Sequence, residues 1–376
     1  MSSTTTASPI ALLVGTRKGA FIYRGDPARQ SWRLEGPHYL GNVVNHIVQD
    51  PREPSVLLMG ARTGHLGPTV FRSRDGGATW KEARTPPAFP KVATGGRVVE
   101  NVFWLTPGHA SEKNTWWAGT VPHGLFFSDD AGETWSGVTG FNDFVPTLGE
   151  AAFGATPDGA MTHSVIVDPV DASHMYLGLS IGGIFESHDR GGSWKPLNKG
   201  IAADFLPTKD PEIGHDPHFF AFAPSKPNRL WQQNHCGIYR VDRPDERWTR
   251  IGDAMPRSVG DIGFAIVPHP RDADTAWVFP MDGTSVWPRT SPDGKPSVYR
   301  TTDAGTSWRR QDSGLPPEHA WFTVKRQAFC GDASDPVGLY FGTTSGEIWA
   351  SSDEGQNWRS IASHLPQILS VTVAVA

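Results

Sequence analysis

The chain has few of the features that mark several classes of protein. Its 376 residues contain only 2 cysteines, too few for a disulfide framework, and such usage fits a reducing compartment. The 34 basic and 39 acidic residues leave a net charge of -5, which predicts neither a nucleic-acid-binding surface nor an anionic-membrane surface. No apolar run approaches the ~20 residues of a membrane-spanning helix. These absences favour a soluble globular protein.

The N-terminal segment also lacks the pattern of a secretion signal. Residues 1–9 are rich in Ser and Thr and have neither a basic start nor an apolar core. We therefore predict a flexible tail over residues 1–9, a single folded domain over residues 10–376 and a cytoplasmic location.

What the chain does contain is glycine, proline and tryptophan. With 38% hydrophobic residues it can bury a core, and its 41 Gly and 32 Pro punctuate many short segments. Its 15 Trp suggest a large packing residue reused at regular intervals. This composition disfavours helices and predicts an all-β protein built from repeats.

An octapeptide of the form Ser/Thr-x-Asp-x-Gly-x-Thr/Ser/Asn-Trp repeats along the chain. Its five copies are SRDGGATW, SDDAGETW, SHDRGGSW, TTDAGTSW and SSDEGQNW, and two degenerate copies end at Trp32 and Trp248. The seven final tryptophans stand at positions 32, 80, 135, 194, 248, 308 and 358. Each interval has the length of one four-stranded unit, so the repeat predicts seven such units.

The octapeptide has the chemistry of a tight turn. Its Asp can accept hydrogen bonds from backbone amides, its Gly permits positive φ, and its Trp starts the next strand. The pattern matches the Asp-box of bacterial neuraminidase repeats, so the chain resembles the sialidase-like β-propellers. These include sialidases, xyloglucan-cleaving propellers and the plant photosystem II assembly factor. The resemblance implies a seven-bladed β-propeller with Asp-box turns, but no particular chemistry, because the box lies away from the usual binding face.

Apolar runs upstream of the boxes predict the first strand of each blade, which lines the central channel. The first blade lacks such a run, whereas the chain ends in ILSVTVAVA. We predict that this C-terminal strand completes the first blade and closes the ring. Near the start of four of the runs stands a polar residue, and these residues are Asn45, Asn101, His163 and His218.

The loops that enter the first strands, and those that join the second and third strands, meet at one face of a propeller. We predict that this face holds a polar-ligand or metal site. As metal ligands we select His163, His218 and His235, because neutral imidazole is a common ligand of divalent transition metals. Glu100, Asp261 and Asp282 are the candidate catalytic carboxylates. The candidate substrate-binding residues are Arg17, Arg62, Asn101, His123, His215 and Asn234.

Three functions are compatible with these residues. The favoured one is an intracellular enzyme that uses a divalent metal ion to hydrolyse a small polar or carbohydrate-like substrate, or to cleave it by elimination. A second is a non-catalytic protein-interaction scaffold similar to the photosystem II assembly factor. A third is a glycoside hydrolase that uses a pair of carboxylates. Sialidase activity is disfavoured because the chain lacks the Arg-Ile-Pro sequence of that family. Two long segments, 137–159 and 198–214, are candidate specificity loops.

Overall fold

Repeated antiparallel sheets make up the structure. The computed structural model describes residues 9–92, 96–152, 159–208, 210–284 and 286–375. Across these residues, 28 strands form seven four-stranded sheets, which confirms the predicted all-β, seven-bladed propeller. Of the predicted tail, residues 1–8 lie outside the described residues, and the first strand begins at Ile10.

The strands of each blade follow one another in sequence, except in the first blade. Innermost strand first, blade one consists of β28 (Ile368–Val375), β1 (Ile10–Thr16), β2 (Gly19–Gly25) and β3 (Trp32–His38). Blade two consists of β4 (Val43–Gln49), β5 (Leu57–Thr63), β6 (Gly67–Ser73) and β7 (Lys81–Glu82). Blade three consists of β8 (Asn101–Pro107), β9 (Trp116–Val121), β10 (Gly124–Ser128) and β11 (Ser136–Gly137).

The remaining four blades repeat this order. Blade four consists of β12 (Thr162–Val167), β13 (Met175–Leu179), β14 (Gly183–Ser187) and β15 (Lys195–Pro196). Blade five consists of β16 (Pro217–Ala223), β17 (Lys226–Asn234), β18 (Gly237–Asp242) and β19 (Thr249–Arg250). Blade six consists of β20 (Gly263–Pro268), β21 (Ala276–Pro280), β22 (Val298–Thr301) and β23 (Arg309–Gln311). Blade seven consists of β24 (Phe329–Gly331), β25 (Leu339–Gly342), β26 (Ile348–Ser351) and β27 (Arg359–Ala362).

The C-terminal strand closes the ring, as the sequence predicts. β28 pairs with β1 in antiparallel register, from Val375 opposite Ile10 to Ile368 opposite Thr16. Every residue of β1 is buried. Because β28 supplies the hydrogen-bonding partner that an exposed edge would lack, the first blade becomes as complete as the others.

The octapeptides form the tight turns that their chemistry predicts. In SDDAGETW, Asp130 Oδ1 accepts hydrogen bonds from the Thr134 amide at 2.8 Å and the Ser128 hydroxyl at 2.9 Å. Gly132 has a φ of 80°, and its carbonyl accepts a hydrogen bond from the Trp135 indole at 3.2 Å. The acidic residues of the other four copies make the corresponding bonds to the amide four residues later. The turn thus fixes the Trp that starts the outermost strand.

Apolar side chains pack between neighbouring blades. One core joins blades two and three, where Leu58 and Val70 pack with Val102 and Trp116. A larger core joins blades six, seven and one. Among the described residues, helix is confined to α1 (Thr139–Asn142) and to short 3₁₀ helices at Val145–Ala152, Gly252–Ala254 and Pro292–Gly294. None of the helices in the described part of the chain is long and apolar enough to cross a membrane.

Candidate functional site

Irregular pairing at the start of the inner strands directs polar side chains toward the channel. In blades two to six, the register between first and second strands shifts within the first few residues. Asn45 and His218 each lie inside such a shift, between residues that keep their pairing. A β-bulge turns a side chain away from the regular alternation, so a strand can stay apolar and still present one polar group.

Three side chains from blade five form a cluster of potential metal ligands. The ligand atoms of Asp216, His218 and His235 all lie within 4.8 Å of one another. Asp216 Oδ2 is 3.4 Å from both His218 Nε2 and His235 Nδ1. His218 is buried, while His235 is partly exposed. Two of the three predicted metal ligands therefore come together, and Asp216, which the predicted ligand set omitted, joins them.

His163 lies outside this cluster, unlike the prediction. It is fully buried at the start of β12, where its Nδ1 is 2.9 Å from the Ser164 hydroxyl. Its position differs because β12 belongs to the neighbouring blade, whereas His218 and His235 stand on the first strand of blade five and in the loop after its second strand. Burial holds the pKa of His163 well below its ordinary value, and the Arg326 guanidinium lowers it further.

Burial and charge together set the protonation of the cluster. Burial lowers the pKa of His218, and the neighbouring Asp216 offsets this effect only in part. Burial alone would raise the pKa of Asp216, but its contacts with His218 and His235 and the charge of Arg326 hold that pKa far below its ordinary value. The cluster therefore combines a carboxylate with a neutral His218 imidazole.

A cavity of about 660 Å³, which we call the acid cavity, opens over blades five and six. Asp261 and Asp282, two of the three predicted catalytic residues, line it together with His235. The other lining side chains include Asp204, Phe205, Cys236, Arg250, Arg257, Trp287 and Asp293. Asp204 and Phe205 come from the predicted specificity segment 198–214. The cavity thus combines several carboxylates with aromatic surface.

The two predicted carboxylates in the acid cavity are held differently. Asp261 Oδ2 accepts hydrogen bonds from Arg250 Nη2 at 2.9 Å and from Nε at 3.1 Å. Asp282 Oδ1 accepts a hydrogen bond from the Thr284 amide at 2.8 Å. Glu100 does not belong to this group, because it is exposed and its backbone amide bonds to Val121 in blade three. Its predicted catalytic role therefore finds no support in its position.

A second cavity of about 210 Å³, the cationic cavity, lies at the channel over blades seven, one, two and three. The predicted residues Arg17, Arg62 and Asn101 line it, as do Lys325 and Arg326. The residues that line it within the described chain include no acidic side chain. Four cationic side chains around one small cavity favour an anionic or strongly polar group.

Arg326 lines the cationic cavity and is not among the site residues predicted from the sequence. It is 7% exposed, its guanidinium lies 5.8 Å from the ring centroids of Phe103 and Phe264, and it donates to the Ser180 hydroxyl at 3.1 Å. The surrounding segment VKRQAFCG is similar to the apolar runs of the other inner strands, but β24 begins only at Phe329. The adjacent Lys325 and Arg326 in an otherwise apolar run were the signal that could have revealed this position.

The last three predicted binding residues are buried and line neither cavity. His215 Nε2 donates to the Pro211 carbonyl at 2.7 Å, and Asn234 Oδ1 accepts from the Cys236 amide at 2.9 Å. The His123 carbonyl accepts from Arg97 Nη1 at 3.0 Å. These contacts shape the loops around the site rather than placing the side chains in a cavity.

Comparison with known proteins finds similarity to xyloglucanases. No family model matches the chain. It is 30% identical over 160 residues to a probable oligoxyloglucan-reducing end-specific xyloglucanase of Neosartorya fischeri, covering 40% of this chain and 17% of the relative. It is 24% identical over 326 residues to a xyloglucanase of Acetivibrio thermocellus, covering 79% of this chain and 36% of the relative. The chain therefore spans at most 36% of the length of these two relatives.

A solved structure agrees with this similarity at the level of the fold. The GH74 xyloglucanase of Xanthomonas campestris superposes with a TM-score of 0.65 at 19% identity. The superposition covers 95% of this chain and 53% of the xyloglucanase. At this identity the likeness establishes the propeller architecture, and the activity of the chain has to be argued from its own residues.

Proposed function

We propose that this propeller is a glycoside hydrolase whose reaction takes place in the acid cavity. The observation that carries the proposal is the presence of Asp261 and Asp282 in one cavity with the aromatic side chain of Trp287. Glycosidases need two carboxyl groups on either side of the scissile bond. The similarity to xyloglucanases supports a β-glucan such as xyloglucan as the substrate class.

The different surroundings of the two carboxyl groups suggest their roles. Arg250 orients Asp261 through two hydrogen bonds and balances its charge, which suits a base or nucleophile. Asp282 lines the cavity and has Oδ1 bound to the Thr284 amide, so we assign the proton of the general acid to its Oδ2. In the simplest reaction Asp282 gives its proton to the glycosidic oxygen, and the bond from that oxygen to the anomeric carbon breaks. Water attacks the anomeric carbon, and Asp261 takes a proton from that water molecule.

Two finer assignments belong to this proposal. We assign the five octapeptide turns to the Asp-box type and the chain to the sialidase-like propellers, on the hydrogen bonds that Asp130 and its counterparts make. We also propose a cytoplasmic location, which the low cysteine content favours. A cytoplasmic hydrolase would act on oligosaccharides that have been taken up rather than on intact polymer.

Hydrolysis of xyloglucan oligosaccharides and aryl β-glucosides tests the proposal. Asp261→Asn and Asp282→Asn are each expected to lower kcat about 10²- to 10⁴-fold, the usual contribution of one general acid or base. Asp129→Asn serves as the matched control, because Asp129 is exposed in an octapeptide turn far along the chain from the acid cavity. The proposal fails if the wild type cleaves none of these glycosides, or if both cavity variants keep full turnover. Carbohydrate binding without turnover would indicate a binding protein.

A further inference from the structure

We propose that Asp216, His218 and His235 bind a divalent transition-metal ion at the edge of the acid cavity. The proposal does not depend on glycoside cleavage, because it rests only on the arrangement of these side chains. Two imidazoles and one carboxylate form a ligand set that suits Zn²⁺ and similar ions. His235 also lines the cavity, so a bound ion would lie within reach of a ligand there.

The distances in the cluster fit a metal better than hydrogen bonds. Asp216 Oδ2 is 3.4 Å from His218 Nε2 and 3.4 Å from His235 Nδ1. Such contacts are long for charge-assisted hydrogen bonds, which are typically ~2.8 Å. Bonds of ~2.1 Å to a tetrahedral Zn²⁺ place neighbouring ligand atoms ~3.4 Å apart. The carboxylate oxygen therefore already lies at the spacing of a tetrahedral site from each of the two nitrogens.

The surroundings hold the ligands in this arrangement. His218 Nδ1 lies 2.6 Å from the Gly263 carbonyl, which can only accept, so Nδ1 carries the proton and the Nε2 lone pair faces Asp216. The His235 amide donates to the Asp216 carbonyl at 3.0 Å, which ties the two loops together. The His235 ring packs edge to face against Trp287, with ring centroids 4.0 Å apart. The two imidazoles thus have fixed orientations before any ion binds.

Polar atoms of the cluster also lack the partners that burial normally demands. Within the described residues, Asp216 Oδ1 and His235 Nδ1 are buried and have no hydrogen-bond partner. An unpartnered buried polar atom costs about 1–3 kcal/mol, and more when it is charged. A cation bound by His235 Nδ1 and the Asp216 carboxylate would remove the cost of the unpartnered nitrogen and share the charge of the carboxylate.

A second cluster of His and Glu shows the opposite arrangement. His174, Glu186 and His188 also offer three ligand atoms within 4.8 Å of one another. There His174 Nδ1 and Nε2 each meet a carboxylate at 2.8 Å, and Arg243 binds both oxygens of Glu186. The ligand atoms of His174 and Glu186 are therefore already satisfied by protein groups. The second cluster is therefore the natural control for the first.

Metal titration of the untagged, chelator-treated chain tests the proposal without any carbohydrate. Competition with a chromophoric chelator should show one Zn²⁺ per chain, and Co²⁺ should give the visible absorption of a tetrahedral site. Asp216→Asn and His235→Ala should each weaken binding at least about 100-fold, the upper end of what residues that only orient a ligand contribute. His188→Ala should leave the affinity unchanged.

The controls make each outcome decisive. Asp216→Asn preserves the side-chain shape, and His235 is partly exposed, so far-UV circular dichroism should report a native fold for both variants. The proposal is overturned if the wild type binds no stoichiometric Zn²⁺ or Co²⁺. It is equally overturned if folded Asp216→Asn and His235→Ala bind as tightly as the wild type. Because the measurement needs no substrate, its failure would leave glycoside hydrolysis to be judged by its own assay.

Discussion

Replacing Glu186 by Gln should destabilise the propeller in a defined pH window. Glu186 is 10% exposed, accepts from His174 Nε2 at 2.8 Å and binds Arg243 Nη2 at 2.6 and 2.7 Å. Burial would raise the pKa of Glu186, but hydrogen bonds from His174 and the charge of Arg243 lower it from 4.5 to about 2. A change of that size corresponds to about 3 kcal/mol of native-state stability.

The sign of the pH dependence follows from the two partners. The stabilisation from Glu186, whose pKa is lowered, is complete above pH 4.5 and is lost as the pH falls toward about 2. Burial would lower the pKa of His174, but its hydrogen bonds to Glu186 and Asp168 raise it above 6.5. Its share of the stabilisation is therefore complete below pH 6.5 and is lost as the pH rises through the raised value. The wild-type advantage should be largest between pH 4.5 and 6.5.

Urea unfolding followed by tryptophan fluorescence measures this difference at each pH. Glu133→Gln provides the control. The Glu133 side chain is 37% exposed, so its ion pair with Arg72 should contribute less than about 1 kcal/mol to the free energy of unfolding. The reasoning is refuted if Glu186→Gln costs less than about 1 kcal/mol near pH 5.5, or if its cost is the same near pH 3.

Three further predictions concern the turns, the ring and the acid cavity. Asp130→Ala should lower the free energy of unfolding by about 1–2 kcal/mol, because the Thr134 amide and hydroxyl lose their acceptor. A urea midpoint equal to that of the wild type would contradict this. Deleting residues 367–376 removes β28, which pairs with β1, and should abolish cooperative unfolding. Limited proteolysis should then cleave the opened first blade rapidly. Gly237→Ala should reduce both stability and glycosidase turnover, because a φ of 125° strains a residue that carries a Cβ and that Cβ would lie 2.5 Å from Asp261 Oδ2. An unchanged kcat in the folded variant would argue against Asp261.

The sequence predicted the fold because every blade carries its own signal. The octapeptide turns, counting the two degenerate copies, recur at one position in each unit, and the additional C-terminal strand had only the first blade to complete. The face that holds His218, His235, Asp261 and Asp282 followed from the same topology. Periodicity therefore determined which residues share a face.

Periodicity could not determine how that face divides into separate cavities. The division depends on loops that do not repeat, such as the one after β21, where Trp287, Arg289 and Asp293 all adopt positive φ. Non-glycine residues rarely adopt this conformation, so the residue types of the loop do not predict it. The position of Arg326 was likewise hidden, because β24 starts later than its apolar run suggested. Local backbone geometry, rather than residue type, decided these positions.

The two ends of the blades therefore perform different tasks. At the octapeptide turns the acidic side chains have both oxygens bonded, as Asp130 shows through Thr134 and Ser128. At the site face, the buried His163 Nε2, Asp216 Oδ1 and His235 Nδ1 have no hydrogen-bond partner within the described residues. Unpartnered groups lower stability, and a closed ring of seven sheets can tolerate that loss. Substitutions in the turns should then change stability and spare activity, whereas substitutions at the site face should do the reverse.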